Sequence, residues 1–434
     1  MATPKLAASL VLTALALSAC IPGSAQPDSG PTSVTEARTG VPGGISDLSL
    51  VSTPEAGAAI RHIIVAFEAA HSNVNIKYSE SSFDDYNKSL NLNLASERSP
   101  DIVLLNFIGT TVRDRLVVSL EPYAKAYGWE KSYPSSQLNQ WRVAPDGSTL
   151  GVGDLYAAPA GFDFVGLYYN KSKAARLGIT MPMKSLAEFE SALAKAQAAG
   201  ELPLQLGNKE GHASFPLQLI GQSHDGPAAY AEWTFGRKGS SFDTPGNKLG
   251  AGKLREWARK GYVPAGANSV DLQSAVAEFN KGEGVFLIDG SWDSQVISAA
   301  LRSEVGFVPF PAQKATAIGT SLAYGISAKS EHQQAAAAFL DFMRTPEAVK
   351  ISFVHGQMPS NTDAVAVQSG DIRTELVAAW TKINADNGLI GYNNNATATM
   401  NDTLTTETQK LIAGRQGVDG FVKTVQDDWN QTHG

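Results

Sequence analysis

Trp292 stands behind an apolar run, Val285 to Ile288, and a Gly290-Ser291 turn. That spacing puts an aromatic face at the carboxyl end of a strand, where α/β sheets hold their ligands. Amides accompany it. Asn208 follows the short apolar run Leu204–Leu206, and Asn393, Asn394, Asn395 and Asn401 precede or open a helical stretch near 402–412. Each amide can both donate to and accept from a hydroxyl, although Asn runs also serve as loop and cap residues. Thr53, Pro54 and Glu55 open an earlier helix, whose first backbone amides could meet ligand oxygens. Glu55 also suits the helix dipole by itself.

Signatures of covalent and metal chemistry are missing. The seven histidines (His62, His71, His212, His224, His332, His355, His433) include no pair with metal-ligand spacing on a helix. The chain has no GxSxG elbow, no phosphate-cradling Walker loop and no GxGxxG after a strand. Gly151-Val152-Gly153 lacks the third glycine and reads as a turn. Hydrolysis of a glycoside would need two facing carboxylates, which sequence alone does not pair.

The elements that must position these residues alternate. Leu48–Val51 is a short apolar strand, and residues 55–70 place Ile60, Ile63, Ile64 and Phe67 at i, i+3, i+4, i+7, one helix face. Val74–Tyr78 alternates as a strand; Ile102–Leu105 and Phe164–Tyr169 are buried-type runs. Ser185-Leu186-Ala187-Glu188 is a capping box that opens a helix ending near Gly200. Leu272, Ala275, Val276 and Phe279 mark another helix, and Val418 through Trp429 a terminal one. Strands alternating with helices predict α/β lobes with largely parallel sheets.

The 434 residues suffice for two or three lobes at roughly 150 residues each. A net charge of −7 argues against a nucleic-acid binder, which needs a basic face. The single cysteine excludes a disulfide framework and a cysteine-based zinc cluster. That cysteine is Cys20, at the end of MATPKLAASLVLTALALSAC. One early cation, Lys5, precedes a short apolar run and then small residues, the form of a secretory signal. Leu17-Ser18-Ala19-Cys20 resembles a bacterial lipobox, which predicts removal of residues 1–19 and lipid on Cys20. Residues 21–44, rich in Pro, Gly, Ser, Thr and Ala, read as a flexible tether.

Five segments, taken in order, carry a family resemblance. They are Ser99–Asn106; Ala158–Asp163 running into Leu167–Lys171; Gly178-Ile179-Thr180 through Pro182 to Ser185; Phe279–Gly282 with Phe286–Trp292; and Gly325–Ser327 with Phe339–Phe342, Thr345–Glu347 and Met358-Pro359. Together they resemble the extracellular solute-binding proteins, family 1, of the maltose- or sugar-binding type. Those are lipoprotein receptors of bacterial ABC importers. The resemblance implies an α/β, two-lobed periplasmic-binding-protein fold of type II. Each lobe would be a mainly parallel sheet flanked by helices, with the ligand cleft at the hinge. Crossings are expected near 158–163, 318–324 and 356–362. After residues 20–44, lobe 1 would comprise 45–158 plus 324–356, and lobe 2 would comprise 163–318 plus 362–434.

The same resemblance supplies site residues. Trp292 matches a stacking tryptophan, and Asp163 matches a ligand carboxylate beside the hinge, although a hinge ion pair is the other reading. Asn106 and Phe107 fall where the family puts a cleft contact, and they depart from its commoner aromatic-then-Asp pattern. Ser321 and Tyr324 sit at the second crossing, where Tyr324 could stack and donate. Asp101 reads as structural. The implied function is capture of a mono- or oligosaccharide and its delivery to permease subunits. The implied chain is a monomer on the outer face of the membrane, with no catalysis, cofactor, metal or nucleic acid. The alternatives are another solute such as a glycerophosphodiester, against which the lack of a basic cluster near the cleft segments counts, or an exported glycan hydrolase.

Overall fold

A computed structural model describes residues 37–133, 135–360, 365–367 and 370–434. Cys20, the signal segment 1–19 and the tether up to residue 36 lie outside the described residues. The last part of the expected tether is docked rather than free. Asn73 donates its amide to the carbonyls of Pro42 and Gly44, and Gln334 donates to Gly40. Among the described residues no helix is long and apolar enough to cross a membrane.

Among the described residues eleven strands occur in chain order. They are β1 (Ser46–Ser52), β2 (Val74–Glu80), β3 (Ile102–Leu104), β4 (Arg142–Val143), β5 (Asp154–Leu155), β6 (Ala158–Asn170), β7 (Leu204–Gln205), β8 (Phe286–Gly290), β9 (Val305–Val308), β10 (Ala317–Ile326) and β11 (Leu389–Ile390). Nine form one sheet, ordered β2-β1-β3-β10-β6-β8-β7, with β9 on β6 and β11 on β10. The outer pairs β1–β2, β1–β3 and β7–β8 are parallel, as the alternation of strands and helices predicts. The pairs that β6 and β10 make with β3, with each other, with β8 and with β9 are antiparallel. These two long strands run in opposite directions to each other, and among the described residues β11 alone pairs with one of them, β10, in parallel.

Two helices of the first lobe matter for the site. Helix α1 (Pro54–Ala70) has Thr53 as N-cap residue and proline in its first turn, a position where the missing N–H costs no bond. Its predicted stripe, Ile60, Ile63, Ile64 and Phe67, is buried, each side chain contributing about 1.5–3 kcal/mol over exposure. Helix α2 (Phe83–Ala95) starts at Ser82, whose hydroxyl accepts from the Asp85 amide. In the second lobe the cap at Ser185 forms, with the Glu188 carboxylate accepting from the Lys184 amide one residue earlier than a capping box requires. Ser185 Oγ accepts from the Glu188 amide, and the helix Leu186–Ala198 follows.

The apolar interior divides with the chain. One cluster draws on residues between Leu48 and Ala160 and between Ala323 and Ala348. The other two draw on residues between Phe162 and Ile318 and between Phe353 and Trp429. Among the described residues the chain passes between these clusters at three places, which lie side by side. Ser321 pairs with Phe162 across the β10–β6 ladder, and Phe162 exchanges both backbone bonds with Met358 at 2.7 Å. The ladder slips between Ser321 and Ala323, where β10 leaves one cluster for the other.

Candidate functional site

Asp163 lies on β6 just beyond the passage between lobes. Its neighbours Phe162 and Phe164 turn into the second lobe's core, so the alternation of the strand turns Asp163 the other way. The carboxylate is 7% exposed and accepts a 3.0 Å bond from Ser291 Oγ, which also receives the Phe164 amide. Burial pushes its pKa up to about 7; the Ser291 bond opposes the rise and the Asp293 charge adds to it. Thr320 is its partner across the ladder, and Thr320 Oγ1 donates to Gln140 at 2.7 Å.

Trp292 follows at the carboxyl end of β8, in the short turn Ser291–Asp293. Its ring lies over Gly290 so closely that a Cβ there would sit 2.1 Å from ring carbon; only glycine admits this approach. Trp292 is partly exposed and meets Phe215 edge to face, with centroids 6.3 Å apart. Phe215 belongs to the helix Ser214–Asp225 and is itself buried. On its other contact, at 6.0 Å, is the half-buried ring of Tyr392. Burial lifts the Tyr392 hydroxyl well above its ordinary pKa, and Asp163 and Asp289 add to that. His212 packs edge to face on Phe215 at 5.1 Å, and burial lowers its pKa to about 4. The second lobe thus presents two aromatic surfaces, a carboxyl group and a neutral imidazole on one edge.

Beneath this edge Asp289 is fully buried, with Asp293 beside it. Burial first, then the Asp293 charge, pushes the Asp289 carboxyl well above the usual carboxylate range. Gln273 donates to Asp293 at 3.3 Å. No group of three His, Cys, Asp or Glu side chains is placed to hold a metal ion among the described residues.

The first lobe's residues part company. Asn106 and Phe107 lie beyond β3, both partly exposed. Asn106 donates to Asn87 at 3.1 Å, and Phe107 meets Phe83 edge to face at 6.3 Å. Thr53 caps α1 without a side-chain bond and is 2% exposed, so only its backbone end of the helix is offered. Glu55 lies in the first turn of α1.

Three of the sequence-read residues are consumed internally. Tyr324 is 1% exposed in the first core, its hydroxyl sharing a 3.3 Å bond with Ser52. It lies on a central strand, paired with Leu104 on one side and Ala158 on the other, and its ring is packed into the first cluster. Ser321 is buried and accepts the Trp141 indole N–H at 2.6 Å, making it a strut of the crossing. Asn208 is fully buried; it accepts from the Ala213 amide and donates to Asn268, both at 2.9 Å, so its amide shapes the loop before Phe215. Asn401 is partly exposed and accepts from Asn394 at 3.1 Å. Asp101 accepts from Ser49 and Ser330 and is structural.

Phe215, Tyr392, His212 and Phe83 escaped the sequence reading. Their signals adjoined ones that were read. His212 follows Asn208 in the same loop, Phe215 stands in the first turn of the helix after it, and Tyr392 precedes the Asn393–Asn395 run.

The sequence profile of the bacterial extracellular solute-binding proteins matches residues 51–350. A probable sugar-binding periplasmic protein of Mesorhizobium japonicum is 26% identical over 294 residues, 65% of this chain and 68% of that one. A multiple sugar-binding protein of Streptococcus mutans is 24% identical over 306 residues, 68% of this chain and 70% of that one. A solved chitin oligosaccharide binding protein superposes with a TM-score of 0.75 at 20% identity, over 90% of this chain and 99% of that one, a likeness of fold. The profile match and the two-lobed architecture together establish that this chain belongs to the bacterial extracellular solute-binding protein family.

Proposed function

We propose that this chain is the exported receptor of an ABC importer and that it captures carbohydrate between its lobes for delivery to a membrane permease. The observation that carries this reading is the second lobe's edge. Trp292 and Tyr392 flank Phe215 there, and Asp163 accepts from Ser291, the residue before Trp292. Aromatic faces cover the C–H face of a sugar ring, and carboxyl groups bind its hydroxyls with fixed geometry. The names carried by the relatives, both of them sugar-binding proteins, support the same class of ligand. Binding by hinge closure needs no covalent step, and none is assigned.

The lobes in this reading are 45–158 with 324–356 and 163–318 with 362–434, hinged at the three adjoining passages. Trp292, Asp163, Asn106, Phe107 and the start of α1 at Thr53 and Glu55 contribute ligand contacts, with Asn401 at the rim. Lipid on Cys20 tethers a monomer to the outer face of the membrane. The test is a thermal-shift screen of the full chain against mono- and oligosaccharides, polyols, glycerophosphodiesters, amino acids and peptides. A ligand at about 100 times its Kd should stabilise by roughly 2.7 kcal/mol. A shift with sugars is expected, and a shift confined to phosphodiesters or peptides would overturn the carbohydrate reading. Metabolic labelling with a palmitate analogue, lost on Cys20→Ser, tests the anchor.

A further inference from the structure

We propose that the second lobe carries a binding site outside the cleft, for a small primary ammonium ion with an apolar body.

The site is a cavity of about 290 Å³. It lies between the end of the helix Ser214–Asp225, the helix Pro227–Thr234 and the start of the helix Pro245–Lys260. Asp225 stands ten residues beyond Phe215 on the first of these, about 15 Å away by the helix rise. None of Asp163, Trp292, Phe215 and Tyr392 lines the cavity.

Its apolar wall is aromatic. Tyr230, Trp233 and Phe242 line it, the Trp233 and Phe242 rings lying 4.8 Å apart and tilted by 48°. The Tyr230 hydroxyl donates to Asn247 Oδ1, and Asn247 Nδ2 donates to the Phe242 carbonyl at 2.9 Å, so these polar groups are already matched.

Asp225 brings the charge, and its side chain is 10% exposed. Oδ1 serves the fold. It accepts the Gly246 amide at 2.9 Å, in the first turn of the helix Pro245–Lys260, and lies 3.0 Å from Nδ1 of the half-exposed His224 ring. Oδ2 is buried and has no partner, and among the described residues no other lining side chain has such an atom. A carboxylate oxygen only accepts, so what completes it is a donor, and a buried acceptor left unmatched is costly. The lining includes a second carboxylate, Glu232, and no Lys, Arg or His. Glu232 is mostly exposed and lies 3.9 Å from Arg237, so the buried charge to be met is that of Asp225.

A cationic N–H donor makes the strong, charge-assisted bond to a carboxylate, and aromatic walls attract the same cation through their ring quadrupoles. Both acids repel an anion. The volume is just under the roughly 300–1,000 Å³ usual for ligand pockets, which suits a body of one ring.

The test is isothermal titration of the full chain with benzylammonium, benzyltrimethylammonium and benzyl alcohol, in amine-free buffer. Benzylammonium is expected to bind one to one. The analogues lack the N–H donor or the charge and should bind at least tenfold more weakly. Asp225→Asn keeps an accepting oxygen for Gly246, removes the charge, and should weaken benzylammonium at least tenfold. Ala229→Phe, at an exposed lining position, fills the cavity, leaves the Asp225 bonds in place and should do the same. Circular dichroism establishes which variants fold, and Ala229→Phe decides the matter if Asp225→Asn does not. Absence of benzylammonium binding overturns the proposal. Equal binding of either analogue, or unchanged affinity in either folded variant, overturns it too.

Discussion

The two lobes bring strand ends to one cleft and equip them differently. The second lobe's edge is assembled before any ligand arrives. Trp292 is pressed on Gly290, Phe215 wedges between Trp292 and Tyr392, and Asp163 is fixed by Ser291. The first lobe turns its most central aromatic group inward. Tyr324 lies in the core, while Phe83 and Phe107 remain partly open at the rim. On the function proposed above, the second lobe's edge would be the rigid surface that receives ligand and the first lobe's rim the open surface that completes the enclosure on closure. Rigid aromatic groups cost little entropy on binding, which is where pre-organisation helps affinity.

The largest effect should come from the buried acid of the rigid edge. Folding moves the Asp163 carboxyl from an ordinary value of about 3.9 to about 7. The folded chain therefore holds the proton more tightly, so the stability linked to this group is fully present below the unfolded value. It is lost as pH rises between about 4 and 7, and it stays constant above that. At 1.36 kcal/mol per pH step the loss is on the order of 4 kcal/mol. Urea unfolding at pH 5 and pH 8 checks it. Asp163→Asn should gain on the wild type by roughly 2.7 kcal/mol between the two pH values, since only the fall from pH 5 to 7 lies between them, and a difference that does not move with pH would show Asp163 is not held protonated.

Next comes Trp292→Ala, which strips a partly exposed ring from the received surface. Ligand affinity should fall by about 2–3 kcal/mol, the range of an aromatic hot spot, with little change in melting temperature. Calorimetric titration with the sugar found in the thermal screen reads it. A loss of stability as large as the loss of affinity would make Trp292 a core residue and erase the contrast between the lobes.

The smallest effect sharpens the other side. Tyr324→Phe removes only the hydroxyl bond to Ser52, so stability should fall by about 0.5–1.5 kcal/mol and sugar affinity should stay within roughly twofold. A tenfold drop in affinity would return Tyr324 to the site and give the first lobe a built aromatic contact after all.

Much of this was readable in the chain. The stripe Ile60–Phe67 became the buried face of α1, the Ser185 cap opened its helix, and Trp292 emerged at a strand's end behind Gly290 and Ser291. Each of these depends on residues within a few positions of one another, where periodicity and turn chemistry act directly. The polar residues were harder to place. Asn208 and Tyr324 have the chemistry to bind a sugar, yet Asn208 spends its amide on Ala213 and Asn268, and Tyr324 is walled in by β3 and β6.

By itself the sequence determined the local elements, the alternation that makes the fold α/β, the acid excess and a candidate tryptophan at a strand end. Tertiary structure decided which polar groups stay open and which aromatic groups meet. Phe215 and Tyr392 are far apart along the chain and touch only because separate elements of the second lobe pack on one core. The physical reason is that a side chain's availability to a ligand is set by the neighbours that cover it, and those neighbours come from distant parts of the chain.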